Sequence, residues 1–274
     1  MYSLFLAVDA NFRLKLKDRK IKDPEIGSGW AYFVENNRYI EHVSQNTMDV
    51  EVSDFCYGCS RYSYSLKVSS CGSDFHAVNR ANRRSKKDYV TSGVVACVCA
   101  RHSLMMKNGV GDLQRGERFV FACSLLRTFL KSPRYINTDY IIASVLKGVA
   151  VHDVVISYDI ACKWSIHHLE RFSLNHPDLD VNSYKFSYLV PKFHLPGHGT
   201  PCQTDYSFNF AKGVGRTHGE TIEQEWAHIN LAALSTREMG SGARHLTLDD
   251  SWSWWNWKKV LGMGMVYSVS SSPC

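Results

Sequence analysis

The sequence of 274 residues predicts an α/β domain in which a mixed β-sheet is flanked by helices. Short apolar runs rich in β-branched residues alternate with segments of helical periodicity, which is typical of this class. Hydrophobic residues make up 45% and charged residues 21%, a composition that indicates a folded core rather than a disordered chain. The net charge of +6 is compatible with a polyanionic partner. No apolar run approaches the ~18 residues of a membrane span, so we expect no membrane partner.

The first predicted elements are strands. Apolar runs predict strands at 3–14, 29–34 and 93–100. Residues 36–90 are polar and weakly periodic, and we interpret them as an insertion. The division that follows is 1–35 and 91–234 for the core, 36–90 for the insertion, and 235–274 for a C-terminal Trp-rich helical segment.

The later elements predict a recognisable order. They are a helix at 135–148, a strand at 153–159, a helix at 161–172, a strand at 186–193 and a helix at 219–234. Three strands followed by helix, strand, helix, strand and helix is the order of the ribonuclease H fold. The sequence therefore predicts a ribonuclease H-like mixed sheet with flanking helices and a Cys/His-containing insertion. Residues 119–134 have no place in this order, and we expect them to form a peripheral helix or a loop.

Carboxylates stand where these elements should meet. Asp9 ends the first apolar run, Asp159 ends the run at 153–159, and Glu220 and Glu223 lie in the last predicted helix. Strand-end carboxylates on neighbouring strands converge at one edge of a sheet, where they can hold Mg²⁺ or Mn²⁺ through oxygen ligands. Taken singly, each aspartate is better explained as a turn residue. The ordered set favours a two-metal site for phosphoryl transfer.

Two groups of cysteine and histidine are candidate zinc ligands. They are Cys71, His76, Cys99 and His102 in one group, and His194, His198 and Cys202 in the other. The first has the composition of a Cys₂His₂ site, and the second lies in a short Pro/Gly-rich loop that lacks a fourth ligand. The alternatives are a buried Cys99 with a solvent-facing His102, and a loop whose histidines contact phosphate or the third acid. Both alternatives stay open.

Other features bear on partners and compartment. A basic run in the predicted insertion comprises Arg80, Arg83, Arg84, Lys86 and Lys87. It is suited to DNA phosphates, although a solvated loop is the usual explanation. The tryptophans between 252 and 257 are expected to pack in the core rather than to stack on bases. Nine cysteines without a signal peptide indicate a reducing, intracellular compartment.

Several segments resemble one family in its own order. Among them are VDANFRLK (8–15), GSGWAYF (27–33), SYDIACKW (157–164) and VPKFHLPGHGTPCQTDYSFNFAKGVGRTHGETIEQEW (190–226). Together they resemble the Kyakuja-Dileera-Zisupton (KDZ) transposases of fungal genomes. The resemblance implies a nuclear, ribonuclease H-like enzyme with a D-D-E metal triad that cleaves and rejoins DNA at element ends, with possible homo-oligomers. By position, Asp9 and Asp159 are the first two acids, and Glu220 and Glu223 match the third equally well.

The chain also departs from the family pattern. His218 stands where the pattern has Asp, and Gln224 stands where it has Arg. Residues 119–134 are interpreted as a retained intron, and the start eight residues before Asp9 leads us to expect a fragment. These departures favour a polypeptide that is inactive by itself. The functions under comparison are therefore a metal-dependent transposase, an inactive remnant that binds zinc or DNA, and a host ribonuclease H-like nuclease without strand transfer.

Overall fold

The structure is a computed structural model that describes residues 2–20, 23–46, 88–114 and 135–270. Its strands are β1 (Ser3–Asn11), β2 (Leu16–Lys17), β3 (Tyr89–Cys99), β4 (Leu104–Gln114), β5 (Asp153–Tyr158) and β6 (Lys185–Leu189). Its helices are α1 (Asn36–Asn46), α2 (Ile136–Leu146), α3 (Ala161–Trp164), α4 (His168–Asn175), α5 (Thr200–Asp205), α6 (Thr221–Ile229), α7 (Ala233–Thr236) and α8 (Ser241–Ser270). The predicted mixed sheet with flanking helices is confirmed.

The strands form one mixed sheet in the order β4-β3-β1-β5-β6. Strand β3 is antiparallel to β1 and to β4, whereas β5 runs parallel to β1 and to β6. Strand β2 pairs with the beginning of β3, on the same side of β3 as β1. Because β1 and β5 are parallel neighbours, their carboxyl ends lie at the same edge of the sheet.

Alternation along the strands gives the sheet two apolar faces. On one face, Leu6 and Val8 pack in a cluster with α2, α3 and α4. On the other face, Phe5 and Ala7 pack with α6 and α8, where Trp252 is fully buried. Helix α6 therefore covers the face of β1 to which Asp9, two positions beyond Ala7, also belongs.

Helix α8 is fastened to the sheet by buried charge. The Arg244 guanidinium is fully buried and donates to both carboxylate oxygens of Asp112 in β4, at 2.8 and 3.0 Å. It also donates to the Leu14 carbonyl at 2.9 Å. Burial raises the pKa of Asp112, but Arg244 and then His245 outweigh burial and lower it to about 2. The C-terminal helix is thus part of the folded core.

Some predicted elements differ from the structure. The strand predicted at 29–34 is wrong, because these residues form turns with a single bridge from Phe33 to Val110. Strand β4 was not predicted. Helix α1 occupies the start of the predicted insertion and packs on the core through Tyr39 and Val43. The predicted helix 161–172 is divided by His167, whose φ of 57° is left-handed.

Parts of the sequence analysis lie outside the described residues. They are Cys71, His76, the basic run Arg80, Arg83, Arg84, Lys86 and Lys87, and residues 119–134. Of the tryptophans, Trp252 packs in the core as predicted, whereas Trp254 and Trp257 are exposed. Among the helices that are described, none combines the length and the hydropathy needed to cross a membrane.

Candidate active site and metal centre

Two aspartates meet at the carboxyl edge of the sheet. Val8 pairs with Tyr158 in the parallel register of β1 and β5. Asp9 is the next residue of β1 and Asp159 directly follows β5, and neighbouring strands lie ~4.8 Å apart. Both aspartates are partly buried on the face covered by α6. The structure therefore brings together the first two acids of the predicted set.

Burial and neighbouring charge disfavour the ionised form of both carboxyl groups. Burial and then the charge of Asp159 raise the pKa of Asp9 to about 8, against the lowering effect of hydrogen bonds from Trp226 and the Ala10 backbone. Burial also raises the pKa of Asp159, although His194 opposes this shift. Glu223 raises both pKa values further. Such a group of acids is costly when ionised unless a cation neutralises it.

The two glutamates of the last predicted helix have different surroundings. Glu223, in the first turn of α6, is exposed, and its charge acts on both Asp9 and Asp159. Glu220 directly precedes the helix, and its Oε1 accepts a hydrogen bond from the Phe193 backbone at 2.7 Å. Its Oε2 lies 3.8 Å from His194 Nε2. Glu220 therefore holds the 191–197 loop, while Glu223 is the glutamate whose charge acts on both aspartates.

Close packing fixes the start of α6 against β5. Gly219 has a φ of 82°, and a Cβ added there would collide with the Ser157 hydroxyl and lie 2.8 Å from the Phe208 ring. The Ser157 hydroxyl donates to the Gly219 carbonyl at 3.4 Å. His218 Nδ1 accepts from the Glu220 backbone N–H at 3.0 Å, so it provides an acceptor where the family pattern has Asp. These contacts set the position of Glu223.

Trp226 is a site residue that the sequence analysis missed. Its Nε1–H donates to Asp9 Oδ2 at 2.8 Å, and the rest of the indole is buried in the core. Trp226 follows Glu223 by three residues, a spacing that places both on one face of a helix. This spacing could have identified Trp226 as a neighbour of the acids from the sequence alone.

A third glutamate of the helix is buried elsewhere. Glu225 accepts a hydrogen bond from Trp252 Nε1 of α8, and burial raises its pKa to about 8. Its Oε2 has no hydrogen-bond partner among the residues that the structure describes. Glu225 thus belongs to the contact between α6 and α8 and not to the acid group.

A second group of possible ligands lies beside the acids. The ligand atoms of Cys162, His198 and Cys202 all lie within 4.8 Å of one another. Cys162 and His198 are buried. The predicted set had His194 in place of Cys162, but His194 lies against Glu220 instead. Cys162 was missed although it stands only three residues after Asp159 in the SYDIACKW segment.

The other predicted zinc group is only partly described. Cys99 Sγ lies 3.3 Å from His102 Nδ1, and His102 is exposed at the turn after β3. The two side chains are thus close enough to bind the same metal ion. Their predicted partners, Cys71 and His76, fall outside the described ranges, so the four-ligand site stays a prediction.

The sequence was also compared with known protein families. The model of the Kyakuja-Dileera-Zisupton transposase family matches residues 2–128 and 121–256. The two matched segments overlap at residues 121–128, inside the stretch 119–134 that the sequence predicts to be additional. No curated protein and no solved structure matches the chain. Because the matched segments cover most of the 274 residues, the chain belongs to the Kyakuja-Dileera-Zisupton transposase family.

Proposed function

We propose that this chain carries the catalytic domain of a DNA transposase, which cleaves and joins phosphodiesters with Mg²⁺ or Mn²⁺ held by Asp9, Asp159 and Glu223. The observation that carries the proposal is the convergence of Asp9 and Asp159 at the carboxyl edge of β1 and β5, with Glu223 close enough for its charge to act on both. Burial and then the charge of Asp159 raise the pKa of Asp9 to about 8. A ribonuclease H-like fold is supported by the order β4-β3-β1-β5-β6. In that fold the acids would stand on β1, directly after β5 and on the helix that follows β6.

The donor set fits a divalent cation of this kind. All three groups offer carboxylate oxygens, which Mg²⁺ and Mn²⁺ prefer to nitrogen or sulfur. Burial and repulsion make the ionised aspartates costly, and a bound cation would remove that cost. Glu223 is exposed, so a large polyanion could approach the acids from the side of α6.

Each protein group has a distinct part in this proposal. Asp9 and Asp159 would hold the cations, and Glu223 would complete the ligand set from the first turn of α6. The Trp226 indole fixes the orientation of the Asp9 carboxylate, as outer hydrogen bonds do at metal sites. When bound, the cations would activate the attacking oxygen and stabilise the leaving oxygen at phosphorus.

The partner we propose is nuclear DNA, at both element ends and target. The net charge of +6 favours association with a polyanion. The alternatives from the sequence remain: an inactive remnant that still binds zinc or DNA, and a host nuclease without strand transfer. Assembly into oligomers remains a prediction.

A nicking assay on DNA that carries the element ends tests the proposal. We expect Mn²⁺-dependent nicking that is lost in Asp159→Asn and in Glu223→Gln. Glu220→Gln is the matched control, because it makes the same change three residues earlier and should retain cleavage. Wild-type protein that binds Mn²⁺ but nicks no DNA would contradict the enzyme proposal, and would bear out the sequence-based expectation of inactivity. Joining of the nicked ends to a target separates a transposase from a nuclease.

A further inference from the structure

The group formed by Cys162, His198 and Cys202 is not used by the proposed reaction. Cys162 lies in α3, His198 follows the short turn Leu195–Gly197, and Cys202 lies in α5. Three separate segments therefore bring two sulfur atoms and one imidazole nitrogen to one point. Thiolate and imidazole are the usual ligands of Zn²⁺, whereas Mg²⁺ and Mn²⁺ prefer the oxygens of the acid group.

The distance between Cys162 and His198 is that of two ligands in a tetrahedral zinc site. Bonds of ~2.3 Å to sulfur and ~2.0 Å to nitrogen place two tetrahedral ligands ~3.6 Å apart. Cys162 Sγ lies 3.6 Å from His198 Nδ1. A thiol–imidazole hydrogen bond would explain that distance by itself. It would not explain why Cys202 Sγ also lies within 4.8 Å of both atoms.

The surroundings of His198 also suit a metal ligand. The ring is buried beside the two thiols. His198 also forms a hydrogen bond with the backbone of Asp159. Metal-bound histidines usually use their second nitrogen in this way, because the bond fixes the orientation and the tautomer of the ring.

We propose that Cys162, His198 and Cys202 bind a Zn²⁺ ion that ties the 195–205 segment to the helix after Asp159. A water molecule takes the fourth tetrahedral position. The ion would restrain the Asp159 backbone through the hydrogen bond of His198. It would also restrain the loop that contains His194, because His194 directly precedes the 195–205 segment. Zinc binding stands independently of the proposed function. Its effect on DNA cleavage, through the position of Asp159, rests on that function.

Metal content of the full chain is the first test. Protein purified from zinc-supplemented cells is assayed by mass spectrometry as wild type, Cys162→Ala and Cys97→Ala. Cys97 is buried in β3 outside the group, so its variant controls for loss of a buried thiol. We expect Cys162→Ala to lose about one zinc equivalent relative to wild type, and Cys97→Ala to lose none. Equal zinc content in all three proteins would overturn the proposal.

A second measurement needs no variant. Cobalt added to chelator-treated wild-type protein should give a thiolate-to-cobalt charge-transfer band, and Zn²⁺ should bleach it. Cys202, the partly exposed thiol, should resist alkylation with zinc and react after chelation. Alkylation of Cys202 at the same rate in both conditions would refute zinc ligation. Asp159→Asn should keep its zinc while losing Mn²⁺-dependent cleavage, so failure of the zinc site and failure of the proposed function give different results.

Discussion

Replacement of Asp9 by asparagine should stabilise the metal-free protein at pH 8 while removing its response to Mn²⁺. Asparagine keeps an oxygen that can accept from Trp226 Nε1, 2.8 Å away, but it removes the charge that Asp159 opposes. Burial and then Asp159 move the pKa of Asp9 from 3.8 to about 8. At ~1.4 kcal/mol per pH unit, the largest possible gain in the free energy of unfolding is ~6 kcal/mol. Because the carboxyl group keeps some solvent contact, we expect a gain of ~1–3 kcal/mol.

The pH dependence of this gain follows from the direction of the shift. The folded protein holds the Asp9 proton more tightly than the unfolded chain, so Asp9 makes wild-type stability fall as the pH rises from about 4 to about 8. The advantage of Asp9→Asn should therefore be largest at pH 8 and shrink toward zero near pH 4. A gain of equal size at both pH values would mean that the charge of Asp9 is not its cause.

The assay is urea unfolding in a chelator, repeated with Mn²⁺. Mn²⁺ at a hundred times its dissociation constant should stabilise the wild type by ~2.7 kcal/mol, and it should leave Asp9→Asn unchanged. Asp205→Asn, at an exposed position at the end of α5, should stay within ~0.5 kcal/mol of wild type. An Asp9→Asn variant that is less stable than wild type in chelator at pH 8, or that responds equally to Mn²⁺, would refute this reasoning.

Three further predictions concern helix α8, the start of α6 and the acid site. Arg244→Met removes the guanidinium that pairs with the Asp112 carboxylate and leaves His245 as a remaining buried partner. It should lower the free energy of unfolding by ~3–5 kcal/mol in urea titrations, and a loss below ~1 kcal/mol would show that α8 is held by packing alone. Gly219→Ala places a Cβ at a residue with a φ of 82° and against the Ser157 hydroxyl, so it should lower the free energy of unfolding by ~1–3 kcal/mol. It should also weaken Mn²⁺ binding measured by calorimetry. Wild-type affinity in this variant would show that the start of α6 can shift freely. Mn²⁺ affinity should rise ~10-fold per pH unit between pH 6 and the Asp9 pKa of about 8, because binding displaces one proton, and a flat profile would exclude that acid as a ligand.

The sequence predicted the inner strands because their patterns are simple. Strands β1, β3 and β5 are apolar runs, and the adjacency of Asp9 and Asp159 follows once β1 and β5 are parallel neighbours. Strand β4 was missed because glycine, asparagine and lysine interrupt its pattern. Gly111 shows the reason: a Cβ there would lie 2.8 Å from the Ile141 side chain of α2. The close approach of helix α2 requires glycine at this position, and glycine interrupts the alternating pattern by which a strand is recognised in the sequence.

The remaining features of the site depend on contacts that are distant in sequence. Glu220 and Glu223 share a helical face in the sequence prediction, so spacing could not choose between them. The two glutamates differ because Glu220 accepts a hydrogen bond from the Phe193 backbone, which lies in a loop 27 residues earlier in the sequence. Cys162 and His198 come together in the same way across 36 residues. Local patterns carry no information about such contacts.

The most direct test of the account is anomalous scattering from Mn²⁺ in crystals of the full chain. We predict anomalous density in contact with the carboxylates of Asp9 and Asp159, with Glu223 reaching the same ions at ~2.0–2.2 Å as expected for small divalent cations. Density should be absent from the same position in Asp9→Asn crystals. Saturating Mn²⁺ that leaves these carboxylates without anomalous density, or that binds only at Cys162, His198 and Cys202, would contradict the account.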